Sequence, residues 1–382
     1  MSMWGGWLWL GWRQWCAQPF RAAASSLVFA AVIALMLVFE GLRFGIIEDL
    51  RAFPASLPAD YVIIEKNVGQ FAVMASRLPQ FSRLEAENVA GVAEVEPLTL
   101  APLIFTHNGL KTPALVLAHE EGAWPRNLLV GRRVKQGHEV VVDSALASRH
   151  ALRLGERIEI LDYPLTVVGI SDGTTSPFAP YMFMSYDDLI DLFLDADMSI
   201  GAEGFSLLSA LLVRAQADVD MAGLRAALDD AVADGDVFTP AELGARDARF
   251  GWRLLGPVLL LTSSTAWLIG ILVMGFLRFA DVQAHRAEFG MQKALGADGR
   301  FLAVVLIVGA LALVGSAFPL GWLGALGLAT LIHTWNPLYS VVLGEPSVLG
   351  FGALATVLAA VLGSLIPLHG LLRLEPTVVF QR

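Results

Sequence analysis

Arg286-Ala-Glu-Phe-Gly-Met-Gln-Lys-Ala-Leu-Gly-Ala-Asp298 is a short mixed segment between two long apolar runs, and its residue types suit recognition of a partner. Arg286, Glu288 and Lys293 supply charge, while Phe289, Met291 and Leu295 supply an apolar face for a partner's groove. Gly290 and Gly296 allow close backbone approach and termination of a short helix. Covalent chemistry has no comparable constellation. The seven histidines include no pair at metal-ligand spacing, so no metal site is expected. Asp187, Asp188, Asp191, Asp195 and Asp197 cluster on one predicted helix, where a solvated acidic face is the plainer reading than a cation site. The chain has no HExxH, no nucleophile elbow and no paired cysteines, which leaves a hydrolase without a nucleophile, base or metal ligand. It also lacks a G-x-x-x-x-G-K-[ST] phosphate loop, so it does not cradle ATP by that route and no cofactor is expected in this chain.

Four apolar runs must position that segment, and they place transmembrane helices at 22–40, 254–277, 301–332 and 347–372. Hydrocarbon offers backbone N–H and C=O groups no water partner, so runs of this length span a bilayer as helices. The composition agrees: 55% of residues are hydrophobic and 16% charged, with a mean hydropathy of +0.61. The expected fold is therefore membrane α-helical with four spans and a large extracytoplasmic α+β domain, 41–253, between the first two.

Charge sets the orientation. The insert from Glu40 to Arg253 holds 18 Lys/Arg against 31 Asp/Glu, whereas the remainder holds eight basic and five acidic residues. Arg13 and Arg21 precede the first span, Arg278, Arg286, Lys293 and Arg300 lie in or beside the 278–300 loop, and Arg373 and Arg382 follow the fourth. The 333–346 loop has no Lys or Arg. By the positive-inside rule both termini (1–21 and 373–382) and the 278–300 loop are cytoplasmic, the 333–346 loop is extracytoplasmic, and the protein is a multi-pass component of the inner (plasma) membrane. The acidic insert would repel phosphate, which argues against nucleic acid as a partner. The one cysteine, Cys16, falls on the cytoplasmic side, so the exported domain depends on its own core. The first run is long and lacks a clear small-x-small cleavage site, which reads as an uncleaved anchor. Before it, Trp4, Trp7, Trp9, Trp12 and Trp15 suggest an interfacial helix along the headgroup layer.

At the outer end of the first span, Glu40 and Arg43 either snorkel or line a lateral opening through which a lipophilic substrate, with membrane lipid as its source, reaches the outer domain. Gly41 and Gly45 have the spacing of a close helix contact and are candidates for packing between two copies. Gly321, Gly324 and Gly327 have a similar pattern in the third span.

Within the insert, strands are predicted at Asp60–Lys66, Leu98–Thr106, Thr112–Ala118, Glu139–Val142, Arg157–Asp162, Leu165–Ile170 and Ser206–Val213. Helices are predicted at Leu84–Val89, Ser144–Leu152, Tyr186–Leu194 and Asp218–Val232. These suggest a lobe of Asp60–Ala118 with Ser206–Asp236, interrupted by a second lobe from Gly122 to Ala202. Thr239, Pro240 and Glu242 form a helix start. A stalk helix from Pro240 through the second span to about Phe279 would contain 40 residues and measure roughly 60 Å.

The 286–298 segment resembles the R-x-E-[IF]-G-x-x-[RK]-A-L-G-A signature of FtsX/MacB-type ABC transporter permeases. Further matches are Leu129-Val-Gly-Arg132, Glu139-Val-Val-Val-Asp143, Leu152-Arg-Leu-Gly-Glu156, Leu165-Thr-Val-Val-Gly-Ile170, Ile366-Pro367 and Arg373-Leu-Glu-Pro376, in family order over nearly the whole chain. One departure is Val308-Gly309-Ala310, where family members often carry an acidic residue early in the third span. The resemblance implies a MacB-like periplasmic domain and a coupling helix that docks on a cytoplasmic ABC ATPase, a separate polypeptide holding ATP and Mg. It also implies a dimer with a second permease copy or paralogue, and in some members a periplasmic adaptor. With no fused ATPase in the sequence, the chain resembles DevC-like, LolC-like and haem-exporter-like members more than a full MacB. The implied function is mechanotransmission: ATP hydrolysis drives export or extraction of a glycolipid, lipoprotein, haem or drug. The competing expectation is an FtsX-like signalling subunit that activates an extracytoplasmic partner and moves no cargo.

Overall fold

The computed structural model of the protein describes residues 19–71, 76–120, 124–125, 127–174, 176–195 and 207–372. The tryptophan-rich segment up to Gln18, Cys16 within it, Asp197, and the tail beyond Leu372 lie outside the described residues. Helices are α1 (Pro19–Ala55), α2 (Phe81–Glu87), α3 (Ser144–His150), α4 (Tyr186–Asp195), α5 (Met221–Ala231), α6 (Pro240–Ala284), α7 (Arg286–Ala294), α8 (Gly299–Trp335) and α9 (Pro346–Leu372). Strands are β1 (Tyr61–Glu65), β2 (Leu78–Pro79), β3 (Val92–His107), β4 (Leu110–His119), β5 (Leu128–Gly131), β6 (Glu139–Asp143), β7 (Arg157–Ile160), β8 (Tyr163–Ser171), β9 (Tyr181–Ser185), β10 (Leu207–Leu208), β11 (Ala210–Ala215) and β12 (Gly235–Phe238).

Two units result. One is a helical bundle of Met1–Phe44, Val258–Ile332 and Val341–Arg382; the other is the insert, Gly45–Pro257 with His333–Ser340. Among the described residues, four helices are long and apolar enough to cross a membrane, within α1, α6, α8 and α9. In the bundle, Phe29, Ile33, Met36 and Leu37 of α1 pack with Met274 of α6, Leu313 and Ala317 of α8 and Ala359 of α9. Lipid tails are as apolar as leucine, so such helices associate through close packing rather than water exclusion. Gly363 illustrates this, because a Cβ there would lie 2.7 Å from the Cα of Gly275.

The insert is built on one continuous ten-stranded sheet, ordered β12-β1-β11-β3-β4-β9-β6-β8-β5 with β7 on β8. This corrects the two-lobe expectation. β3 joins β11 to β4, and β4 of the first sequence block pairs in parallel with β9 of the second, Leu115–His119 beside Tyr181–Ser185, so the two blocks share a sheet. An Asn108-Gly109 turn with φ of +50° and +78° closes the β3–β4 hairpin. Both faces are covered. Val141, Tyr181 and Phe183 pack on one side with Phe53 and Leu243, and Val140, Val142, Met182 and Met184 pack on the other with Leu146 and Leu192. A sheet buried on both faces requires strands with continuous apolar centres, such as Val140–Val142 of β6 and Tyr181–Met184 of β9. α2 and α5 cover the β1/β11 end through Ala86, Leu224 and Leu228.

The spans are longer than hydropathy alone suggests. α1 continues fifteen residues past Glu40, and α6 runs unbroken for 45 residues. The α6 start is a reciprocal capping box: Thr239 N–H donates to Glu242 Oε2 (3.0 Å) and Glu242 N–H to Thr239 Oγ1 (3.2 Å).

Candidate functional site

α7 is a nine-residue helix, too short to be stable in water by itself, so its neighbours must hold it. At its start, the His285 N–H donates to the carbonyls of Asp281 (3.3 Å) and Val282 (3.2 Å), which closes α6. At its end, the Gly296 N–H donates to the Lys293 carbonyl and the Ala297 N–H to the Gln292 carbonyl, each at 3.0 Å. With Gly296 at φ +95°, this is a Schellman closure. Asp298 Oδ1 then accepts from the Phe301 N–H at 2.8 Å and starts α8.

The face of α7 divides differently from expectation. Phe289 is 6% exposed and packs against Val282 of α6 and Leu302, Val305 and Leu306 of α8. It is an internal anchor and is not displayed to a partner. Gly290 is buried beside it. Glu288, Met291 and Leu295 are exposed and recur at helical spacing, so they form one outward face, with Met291 58% and Leu295 84% exposed. Lys293 is half-buried. Arg286 is the first residue of α7, and its side chain lies outside what the structure describes.

Glu40 and Arg43 are brought together one helical turn apart. Glu40 is buried at 6% exposure and pairs with the Arg43 guanidinium, so each charge is neutralised within α1. Gly41 and Gly45 serve contacts inside the chain. A Cβ on Gly41 would meet the Val342 carbonyl at 2.9 Å, and the Val342 N–H donates to the Gly41 carbonyl at 3.1 Å. A Cβ on Gly45 would collide with the Ser340 carbonyl. The proposed inter-copy packing therefore loses its two glycines to the segment that precedes α9.

In the insert, the acidic cluster on α4 is not uniformly solvated. Asp188 is 2% exposed and accepts from the His138 N–H (2.8 Å), Tyr163 Oη–H (2.9 Å) and Ser185 Oγ–H (2.7 Å), so it ties α4 to β8 and to the loop before β6. Among the described residues no group of His, Cys, Asp and Glu is arranged to hold a metal. Glu139 pairs with Arg132, whose hydrogen bonds pull its carboxyl down to about 2. Glu96 is pushed up to about 7 by burial, opposed by Arg214 at 4.0 Å.

Sequence reasoning missed one group. Arg278, which the charge pattern marks only as an orientation signal, has a side chain that is 8% exposed and bonds three elements. Its Nε donates to Ser364 Oγ of α9 (3.2 Å), Nη1 to Asp281 Oδ2 (3.1 Å) and Nη2 to the Leu306 carbonyl of α8 (3.4 Å). The available signal was an arginine abutting the last residue of an apolar run.

The described residues thus form a four-span bundle with a sheet-based insert after the first span and a capped short helix between the second and third. The family comparison is decisive: the MacB-like periplasmic core domain matches residues 23–231 and the FtsX-like permease C-terminal domain matches residues 260–376. The chain belongs to the FtsX/MacB-type ABC transporter permeases, whose members are permease subunits that work with an ABC ATPase. Among solved structures it is similar to the periplasmic region of MacB from Actinobacillus actinomycetemcomitans, with 14% identity and a TM-score of 0.37, covering 50% of this chain and 94% of that one. It is also similar to the extracellular domain of the noncanonic ABC-type transporter YknZ from Gram-positive bacteria, with 11% identity and a TM-score of 0.34, covering 47% of this chain and 100% of that one. No curated protein matches the chain by sequence.

Proposed function

We propose that this chain is the membrane subunit of a mechanotransmission-type ABC machine in which a separate cytoplasmic ATPase subunit engages α7 and drives export or extraction of a lipophilic substrate. The observation that carries this reading is the two-sided build of α7. Its outer face, Glu288–Met291–Leu295, is exposed, while Phe289 on its inner face is wedged between α6 and α8. A push on the outer face is thereby delivered to two spans together. α6 is a single helix whose first turn is capped in the insert and whose last turn meets α7, which supports its use as a lever. The acidic insert is the part on which work is done, on the extracytoplasmic side indicated by the charge bias.

The test uses the chain assembled with its ATPase. Met291→Asp/Leu295→Asp changes exposed side chains that support no internal packing, so folding is retained. The expected result is loss of ATPase association, or ATP turnover no longer altered by the permease. Unchanged assembly and unchanged coupling would refute docking on this face.

A further inference from the structure

A cavity of about 200 Å³ opens on the flank of the bundle between α1 and α6, walled by Ala24, Val28, Leu277 and Leu313 and headed by Arg278 and Asp281. Ala24 and Val28 are exposed, so the mouth lies on the side that meets acyl chains. Arg278 directly follows the apolar run ending at Leu277. That run rises roughly 36 Å at 1.5 Å per residue, against a hydrocarbon thickness of about 30 Å. The guanidinium is thus placed at the depth of lipid phosphates, at the end of the bundle that carries α7.

The polar chemistry of the cavity is only partly satisfied. A guanidinium has five N–H groups. Three are used, on Ser364, Asp281 and the Leu306 carbonyl. The other two have no acceptor among the described residues. On the α8 side the guanidinium faces Gly309, where a Cβ would meet only Arg278 Nη2, at 3.8 Å, so no side chain from that position fills the gap. Asp281 is 41% exposed and has His285 Nδ1 at 3.7 Å from its other oxygen, so it presents negative charge at the same mouth.

We propose that this cavity is a headgroup site for a membrane phospholipid carrying both phosphate and a primary ammonium, with the phosphate on Arg278 and the ammonium on Asp281. A purely anionic headgroup would satisfy the guanidinium but be repelled by Asp281. An uncharged amphiphile would leave two buried N–H groups without acceptors, which is costly in a low-dielectric site. A quaternary ammonium has no N–H to donate to the carboxylate. The apolar walls accommodate the start of the acyl chains, and Arg278 links an occupied site to α8 and α9. The proposal does not depend on which partner docks on α7.

The full-length chain is placed in nanodiscs of phosphatidylcholine alone, or doped with phosphatidylethanolamine or phosphatidylglycerol. Retained lipids are then quantified by native mass spectrometry, and headgroup contacts are mapped with a photo-crosslinkable phosphatidylethanolamine. The expected result is about tenfold enrichment of phosphatidylethanolamine over both other lipids, equivalent to about 1.4 kcal/mol, with crosslinks in 24–28 and 277–281. Arg278→Gln breaks contacts between helices and is not relied upon. Gly309→Asp, which sets a carboxylate against Nη2 in open space, should abolish the enrichment, whereas Gly309→Ala should keep it. Asp281→Asn should remove the preference for phosphatidylethanolamine over phosphatidylglycerol. Equal retention of the three lipids, enrichment unchanged by Gly309→Asp, or displacement of the lipid by inorganic phosphate alone would overturn the proposal.

Discussion

Gly296 fixes where α7 stops, and replacing it isolates one physical effect. Its φ is +95°, and a Cβ built there meets nothing within 4 Å, so Gly296→Ala introduces no clash and removes no contact. What changes is the backbone preference: a left-handed conformation costs an L-residue about 1–2 kcal/mol. That penalty falls on the closed form of the Schellman turn, in which Gly296 and Ala297 donate to the Lys293 and Gln292 carbonyls. Opening of this turn should become about 5–30 times more frequent. Hydrogen exchange of the 295–297 amides, followed by mass spectrometry on the full-length chain in nanodiscs, reads this ratio directly. Asparagine tolerates the left-handed region, so Gly296→Asn should fall much closer to the wild type. Exchange in Gly296→Ala equal to that of the wild type would show that the turn does not hold the end of α7, and the argument for a rigidly displayed Leu295 would fail.

Glu96 has a folded-state pKa of about 7, above its ordinary value of 4.5, so folding favours the protonated form. The insert should be most stable below about pH 4.5 with respect to this group and lose that contribution as pH rises towards 7. Glu96→Gln should therefore raise the melting temperature at pH 8 and leave it unchanged near pH 4, as scanning fluorimetry would show. Asp188→Ala removes the acceptor shared by the His138 N–H and the Tyr163 and Ser185 hydroxyls, of which only the Tyr163 bond is fully buried; at about 1–3 kcal/mol for that buried bond it should lower the insert's melting temperature by several degrees, and a shift within error would remove Asp188 as a structural tie. Gly45→Val drives a side chain into the Ser340 carbonyl and should destabilise the chain while leaving its oligomeric state unchanged in native mass spectrometry. Loss of a dimer without loss of stability would restore the inter-copy role of that glycine.

The four spans were legible because hydrocarbon demands long apolar runs, and the start of α6 because Thr239, Pro240 and Glu242 carry its capping chemistry in three local residues. Elements that depend on distant partners were not. β9, Tyr181-Met-Phe-Met-Ser185, alternates in nothing, because both faces of the sheet are buried around it. β12 begins Gly235-Asp236, which reads as a turn, and becomes a strand by pairing with β1. β5 ends in a glycine and pairs only with β8, leaving mostly exposed residues with no pattern to detect. The join between the two sequence blocks rests on the parallel pairing of β4 with β9, a contact between distant segments that no local pattern shows. Between the second and third spans the sequence identified the α7 helix, its terminating Gly296 and its charges. The inward turn of Phe289 depends on Leu302, Val305 and Leu306 of the following helix, contacts that no local pattern shows. Arg278 was obscured for a similar reason, since its acceptors lie on α8 and α9.

The inward position of Phe289 changes what a helix as short as α7 can do. Nine residues cannot repay helix nucleation in water, so an unanchored segment would order only on meeting a partner and would lose binding energy in doing so. Here the closure at His285, the turn at Gly296 and the burial of Phe289 order α7 within its own chain. Met291 and Leu295 are consequently held in place before any partner arrives. The same anchoring bears on transmission, because a displaced α7 must carry Val282 at the end of α6 and Leu302, Val305 and Leu306 at the start of α8. Side-chain packing in such a cluster is close to crystal density and resists compression. The packing therefore ties α7 to the ends of two spans, α6 and α8.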